Sequence, residues 1–320
     1  MQDAALQGAR RSNGLDQVFR IACLLAALAV LGTLAGLLVV LFVGALPAFE
    51  QFGLAFVWTA IWDPIDHKYG ALAVLAGTLA TSVIAIVIAV PIAFGIAVFL
   101  TQIAPDWLRR PVGTAIELLA AIPSIIYGMW GLFVFVPLFR DYVQAPIIAM
   151  TEGVPILGTL FEGPAIGLSI GAAGIILALM ILPFITAVAR DVFNTVPGIL
   201  KESAYALGAT NFEVVTKVIV PYTGASLVGA VLLGLGRALG ETMAVTFVIG
   251  NSNFLTASFF QQGNSIASVI ALEWAEATDP SHISSLIACG FLLFILTFIV
   301  LATARILLAR MAAKAGGVKL

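Results

Sequence analysis

The sequence predicts an all-α integral membrane protein with six transmembrane helices. Of its 320 residues, 61% are hydrophobic and only 10% are charged, and the mean hydropathy is +1.11. Soluble domains contain about 25% charged residues, so this composition excludes an ordinary soluble enzyme. It also excludes a disordered chain, which would be poor in Leu, Ile, Val and Phe. The formal net charge of −2 provides no basic field for a nucleic-acid partner.

Six apolar segments are long enough to cross a bilayer, whose hydrocarbon core of about 30 Å requires about 20 helical residues. Long apolar runs without alternation indicate helices, because only helices and closed barrels satisfy every backbone group in lipid. The predicted spans are residues 21–46, 71–100, 112–139, 165–189, 222–250 and 284–308. The first is much longer than the apolar region of a secretory signal, so we expect it to be retained.

The distribution of basic residues predicts that both termini are cytoplasmic. In that orientation twelve of the fifteen Lys and Arg residues lie on the cytoplasmic side. Only Lys68 and Arg140 fall in outer loops, and Arg237 lies inside a span. We therefore expect a cytoplasmic tail over 1–20, a six-span domain over 21–310 and a second cytoplasmic tail over 311–320.

Metal and disulfide chemistry are not expected. The two cysteines, Cys23 and Cys289, lie near opposite membrane faces, so both should remain unpaired. Neither has a histidine at metal-ligand spacing, and the chain has only two histidines. The sequence predicts no cofactor.

The cytoplasmic connection between the fourth and fifth spans is polar and amphipathic. Pro197 suits the first turn of a helix, Gly208 permits a positive-φ stop, and Asn211 can cap a second short helix. The pattern predicts a helix–Gly–helix element at the membrane surface. Composition alone leaves two roles open: an amphipathic connector lying on the headgroups, or a docking element.

The spacing within this connection resembles the EAA loop of ABC importer permeases. That pattern is Glu-Ala-Ala, three residues, Gly, nine residues, Ile, any residue and Leu-Pro. Glu202, Ala204, Gly208 and Pro221 match it at the correct offsets. The resemblance implies that residues 194–221 form a coupling element that inserts into an ATPase subunit. The chain itself lacks the Gly-Lys-Ser/Thr of a P-loop, so we expect it not to be an enzyme and ATP hydrolysis to occur on a partner chain.

Two charged residues, Arg237 and Glu241, lie inside the fifth predicted span. If the helix continues from Pro221, Arg237 is about 24 Å along it, where a charge costs on the order of 2.5–3.5 kcal/mol. Four residues apart, the two side chains would share a helix face. Ionisable residues at this depth are functional candidates, although a structural ion pair between helices is the alternative. Gly234, Gly236 and Gly240 could admit a solute or simply allow close helix packing.

The chemistry of the pair suits an oxyanion. A guanidinium offers planar bidentate donors, and a neighbouring carboxylate can accept a hydrogen bond from an anion that still carries a proton. Hydrogen phosphate carries such a proton near neutral pH and sulfate does not. We therefore predict that Arg237 and Glu241 select phosphate, with Thr242 on the same path. The spacing alone leaves other tetrahedral oxyanions open.

Two motifs, GRALGETMAVTFVIGN and ELLAAIPSIIYGMWGLFVF, resemble the PstC-type permeases of bacterial phosphate ABC importers. The resemblance implies an inner-membrane pore formed with a PstA-type permease subunit, driven by two cytoplasmic ATP-binding subunits and supplied by an external phosphate-binding protein. Three alternatives remain at this stage: an ABC permease for another oxyanion, a proton-coupled secondary transporter with Glu241 as the proton carrier, and a membrane anchor or sensor.

Overall fold

The computed structural model describes the backbone of residues 2–314 and the side chains of residues 16–306. Within these limits the regular secondary structure is helical, apart from one isolated β-bridge between Asp63 and Lys68. The side chains of residues 1–15 and 307–320 lie outside the described part, and the cytoplasmic tails over 1–20 and 311–320 stay a prediction. The helices in chain order are α1 (Gln2–Phe52), α2 (Ala55–Trp58), α3 (Leu72–Val98), α4 (Asp106–Ala120), α5 (Ser124–Trp130), α6 (Val136–Phe139), α7 (Ala145–Thr151), α8 (Leu157–Phe161), α9 (Ile170–Asn194), α10 (Gly198–Ala206), α11 (Asn211–Val214), α12 (Val220–Leu239), α13 (Met243–Thr246), α14 (Ile266–Glu273) and α15 (Pro280–Lys314).

Six helical stretches are long and apolar enough to cross a membrane, which confirms the predicted class. Short π-helical turns join α3, α5, α6 and α11 to the segments that follow them. The six spans are Asp16–Phe52, Leu72–Ile103, Ser124–Thr151, Ile170–Asn194, Asn211–Leu239 and Pro280–Ile306.

The centre of the fold is the packing of α3 against α9. Ala85, Ala89, Ala93 and Ala97 recur every four residues along α3 and are fully buried. Small residues at this spacing give a smooth face that lets two helices approach closely in lipid. The two helices are in tight contact at Gly174 of α9, where an added Cβ would lie 2.6 Å from a side-chain carbon of Ile84.

Helix α1 is attached to the rest of the chain mainly near its carboxyl end. Ala45 and Ala48 are fully buried there, and Phe49 and Phe52 pack with Phe56. Residues 16–37 of the same helix are exposed within this chain. An apolar helix with so little intramolecular contact presents its surface to lipid or to another subunit.

The third span does not begin at residue 112, so that predicted boundary is wrong. Residues 106–120 form the separate helix α4, whose buried side contains Gly113 and Ile116, and the chain then breaks before α5. Pro123 explains the break, because its ring disfavours helix at the preceding residue and it has no N–H to donate. The span itself is Ser124–Thr151.

The fifth span is also interrupted, so its predicted continuity to residue 250 is wrong. It begins earlier than expected, at Asn211, and α12 ends at Leu239. Gly240 follows, and α13 begins only at Met243. Glycine weakens the helix, and the Glu241 side chain bonds the first turn of α13 instead of continuing α12.

Candidate functional site

Arg237 lies at the middle of the membrane-spanning bundle. Gly234 of α12 lies against Ile185 of α9, where an added Cβ would be 2.6 Å from Ile185 Cδ1. Arg237 is three residues, or about 4.5 Å, further along α12. Because the two spans run in opposite directions, this places Arg237 level with Leu182, the central residue of Ile170–Asn194. The predicted depth is therefore supported by a helix contact independent of the count from Pro221.

The two charges at this level occupy separate helix ends rather than one helix face. Arg237 lies in the last turn of α12, and its side chain is exposed within this chain. Glu241 follows the helix, is half-buried, and its Oε1 accepts a hydrogen bond from the backbone N–H of Ala244 at 3.3 Å. Among the described side chains, no ion pair joins Arg237 to Glu241. The expectation of a shared helix face is thus wrong, because the helix ends between the two residues.

Helix-end placement is electrostatically favourable for both charges. The carboxyl end of a helix carries partial negative charge, which stabilises a cation such as Arg237. The amino end carries partial positive charge, which stabilises the carboxylate of Glu241 before α13. Neither charge therefore needs the other as a counter-ion, and the guanidinium keeps its donors available.

Helix α5 packs directly against α13 beside this break. A Cβ at Gly128 would lie 2.8 Å from Phe247 Cδ2 and 3.0 Å from the carbonyl oxygen of Met243. The neighbouring Tyr127 is within electrostatic range of Arg237. Two interrupted membrane segments thus meet where the charges lie. Irregular backbone at membrane depth is tolerated only where protein buries it or where it lines a water-filled cavity.

The three glycines near the charges have different surroundings. Gly234 is a close helix contact, as the alternative interpretation expected. Gly236 meets only Leu301, at an ordinary 3.6 Å, and Gly240 meets only a carbonyl oxygen of its own helix, at 3.7 Å. Space therefore remains beside the exposed guanidinium.

Thr242 lies at the start of α13 and is half-buried. Its side chain does not cap the helix, and its carbonyl oxygen accepts a hydrogen bond from the Thr246 hydroxyl at 2.8 Å. The Thr246 hydroxyl is thus bonded within its own helix, whereas the Thr242 hydroxyl does not cap the helix.

This site is not a closed pocket within the single chain. The cavity of about 670 Å³ between α9, α12 and α15 is lined by Arg305 and mostly apolar side chains, and Arg237 and Glu241 do not line it. The guanidinium instead faces outward from the described residues. A second subunit against this face would enclose the site.

The connection between the fourth and fifth spans forms the predicted helix–Gly–helix element. Helix α10 covers Gly198–Ala206, Gly208 has a φ of +86°, and α11 follows. The cap of α11 is Thr210, not Asn211 as expected: Thr210 and Glu213 form a reciprocal capping box. The reason is that a Thr followed three residues later by Glu satisfies two backbone N–H groups at once.

One side of α10 packs on the bundle and the other is free. Ala204 contacts the cluster formed by Phe193, Val196 and Val214. Leu207 is 90% exposed and Glu202 is also exposed. Pro221 lies in the first turn of α12, beyond the element. Ile199 and Phe212 of the same segment are 70% and 75% exposed as well, so the segment presents several apolar side chains together, which makes it a candidate docking surface.

A polar cluster around Glu273 was not predicted. Glu273 Oε2 accepts a hydrogen bond from Trp62 Nε1 at 2.9 Å and lies 2.8 Å from His282 Nε2, while its Oε1 accepts one from Asn253 at 3.3 Å. The ring of Tyr69 stacks on His282, and burial, followed by the nearby acids, raises the pKa of Tyr69. These residues come from two distant parts of the chain, 62–69 and 253–282, and the acidic character of these segments was the sequence signal they carried.

The chain is similar in sequence to transport permeases. A family model described as "Binding-protein-dependent transport system inner membrane component" matches residues 89–313. The phosphate transport system permease protein PstC of Pasteurella multocida is 52% identical over 302 residues, which are 94% of each chain. The protein of the same name from Mesorhizobium japonicum is 50% identical over 307 residues, covering 96% of this chain and 94% of its own.

More distant proteins share the fold. A chain of the inward-facing MetNI methionine ABC transporter matches with a TM-score of 0.51 at 20% identity, covering 75% of this chain and 94% of its own. A chain of a bacterial ABC transporter involved in the import of alginate matches with a TM-score of 0.52 at 16% identity, covering 82% and 88%. At these identities the likeness shows the fold, which is that of an ABC importer permease. From the family match and the relatives at 50% identity or more, the chain belongs to the binding-protein-dependent transport system inner membrane components.

Proposed function

We propose that this chain is a permease subunit of an ATP-driven phosphate importer. Arg237, Glu241 and Thr242 line its translocation path. The family and the six spans make it a multi-pass inner membrane protein. The proposal adds the substrate, the partners and the orientation with both termini in the cytoplasm.

The observation that carries the proposal is the exposed Arg237 at mid-membrane depth. A cation at this depth costs on the order of 2.5–3.5 kcal/mol, and no described carboxylate pairs with it. A structural ion pair, the alternative interpretation, would instead have produced a buried contact with Glu241. An unpaired guanidinium beside an open Gly240 is suited to bind an oxyanion.

Glu241 supplies the proposed selectivity through its second carboxylate oxygen. One oxygen bonds the N–H of Ala244, so the other is available to accept a hydrogen bond from a protonated anion. Hydrogen phosphate can donate that bond and sulfate cannot. The carboxylate would then repel a fully deprotonated anion while tolerating hydrogen phosphate.

The outward-facing site implies a partner that encloses it. A PstA-type permease subunit against the α12–α13 face would complete the path. The coupling element, with Glu202, Ala204 and Gly208 on or beside α10 and Pro221 at the start of α12, would dock on one of two cytoplasmic ATP-binding subunits. An external phosphate-binding protein would deliver the substrate to the outer loops.

The test is uptake of labelled phosphate and sulfate into vesicles that contain the four-part complex. We expect ATP-dependent phosphate uptake in the wild type and none in Arg237→Gln. The matched control is Arg305→Gln, which removes an exposed arginine at the inner end of α15 and should transport normally. Unchanged uptake in Arg237→Gln would refute the site.

Glu241→Gln separates selectivity from helix capping. Glutamine keeps a carbonyl oxygen that can accept the bond from Ala244, so α13 should remain capped. We expect the phosphate-to-sulfate uptake ratio to fall in this variant. ATP-independent uptake driven by a pH gradient and abolished by Glu241→Gln would instead favour the proton-coupled secondary transporter.

A further inference from the structure

Helix α4 connects the second and third spans on the side of the membrane where α9 ends. Its buried positions, Gly113 and Ile116, face α9, and most of its other side chains are exposed. Neither the helix nor its contacts are used by the proposed substrate path. Three contacts nevertheless link it, directly or through α9, to the functional parts of the chain.

The first contact is an ion pair with the inner end of α9. Arg190 Nη2 lies 2.8 Å from Glu117 Oε1 on α4 and 2.9 Å from Asp191 Oδ1 on its own helix. The Arg190 side chain is only 22% exposed. A Cβ at Gly113 would lie 3.0 Å from Arg190 Nη1, so the absence of a side chain there leaves room for the guanidinium. Of the two carboxylates, only Glu117 joins separate helices.

The second contact crosses the break that follows α4. The Tyr127 hydroxyl donates a hydrogen bond to the carbonyl oxygen of Leu119 at 2.9 Å. This bond ties the carboxyl end of α4 to α5 over Pro123. Helix α5 in turn lies against α13 through Gly128, beside the Arg237 site.

The third contact is between the coupling element and α9, the helix to which Glu117 ties α4. Helix α9 ends at Asn194, and α10 begins four residues later at Gly198. Ala204 of α10 packs against the buried cluster that contains Phe193 of α9. Movement of α10 therefore acts on the inner end of α9, and the ion pair between Arg190 and Glu117 passes it to α4.

We propose that Glu117 and Arg190 are positioning residues that transmit movement of the coupling element through α4 to the Arg237 site. The inference rests on the proposed ATP-driven import. Glu117 and Arg190 hold α4 to α9, and Tyr127 holds α4 to α5, so the three segments move as one body. Without the tie, ATP-driven movement of α10 is dissipated before it reaches α5 and α13.

The test measures phosphate taken up per ATP hydrolysed by the reconstituted complex. Glu117→Gln and Arg190→Gln should each lower this ratio by about five-fold or more, the usual scale of a coupling effect, while ATP hydrolysis continues. The double variant should be no worse than either single variant, because both remove the same interaction. Asp191→Asn is the matched control: it removes a carboxylate from Arg190 without separating the helices, and its ratio should equal that of the wild type.

Tyr127→Phe provides a second arm that keeps the ring and removes only the hydroxyl. We expect a lower ratio, with Tyr142→Phe, an exposed tyrosine, as its control. An unchanged ratio in Glu117→Gln, Arg190→Gln and Tyr127→Phe would overturn the inference. So would an equal loss in Asp191→Asn, or a parallel loss of uptake and hydrolysis, which marks a merely structural role. Failure of the wild-type complex to transport phosphate with ATP would refute the proposed function itself.

Discussion

Replacing Glu273 by Ala should destabilise the end of the bundle where α14 is followed by α15. The carboxylate can only accept hydrogen bonds, so both Trp62 Nε1 and His282 Nε2 donate to it. Each of these donor side chains belongs to a residue that is only 8% exposed, and an unsatisfied buried donor costs about 1–3 kcal/mol. Two such donors give about 2–6 kcal/mol, and water entering the vacated space favours the lower half of that range. Asn253 is half-buried and can bond water instead.

The assay is the apparent melting temperature of the purified complex in detergent, at one fixed scan rate because unfolding of such proteins is often irreversible. Glu276→Ala is the matched control, since Glu276 lies three residues away on the same segment and is exposed. We expect a clear fall for Glu273→Ala and no change for Glu276→Ala. Equal melting temperatures in the two variants would refute the interpretation of the cluster as a stabilising network.

Substitutions at three glycines test the local geometry. Gly128→Ala should cost about 1–3 kcal/mol of stability through overpacking against α13, whereas Gly95→Ala, with nothing within 4 Å, should be neutral or slightly stabilising in the same melting assay. In Gly208→Ala the new methyl group meets no atom, but a non-glycine residue is forced to a φ of +86°. This strain should destabilise the turn between α10 and α11 by about 1 kcal/mol. We therefore expect a smaller amount of the ATPase subunit to copurify with this variant. Gly208→Asn should retain more of the partner, because Asn tolerates this conformation better; equal retention in both variants would contradict the backbone argument.

The spans were predictable because hydropathy over about 20 residues is a strong signal. The breaks in the third and fifth spans were not predictable, because hydropathy averaged over a window does not show where a helix ends. Pro123 and Gly240 mark the breaks in the sequence, but proline and glycine also occur inside intact membrane helices. Pro91, for example, lies within α3 of this chain. What ends α12 is a competition between continuing the helix and capping α13 through Glu241, and that outcome depends on the packing of α13 against α5.

The coupling element was predictable in outline because its signals are local. Gly208 lies two residues beyond α10 as expected, and only the identity of the cap, Thr210, differed. The cluster around Glu273 was not predictable, because Trp62, Glu273 and His282 come together only through the tertiary fold. The exposure of Arg237 was not predictable either. The spacing suggested that Glu241, four residues away, lies on the same helix face, but the helix ends between the two residues.

The central claim is that the Arg237 guanidinium binds the translocated anion. Its most direct test is the concentration dependence of ATP-driven phosphate uptake in vesicles, comparing wild type, Arg237→Lys and Arg237→Gln in complexes of equal abundance. Lysine retains the charge without the bidentate donors, so we expect weakened uptake with Lys and none with Gln. Identical uptake curves for all three proteins would contradict the account.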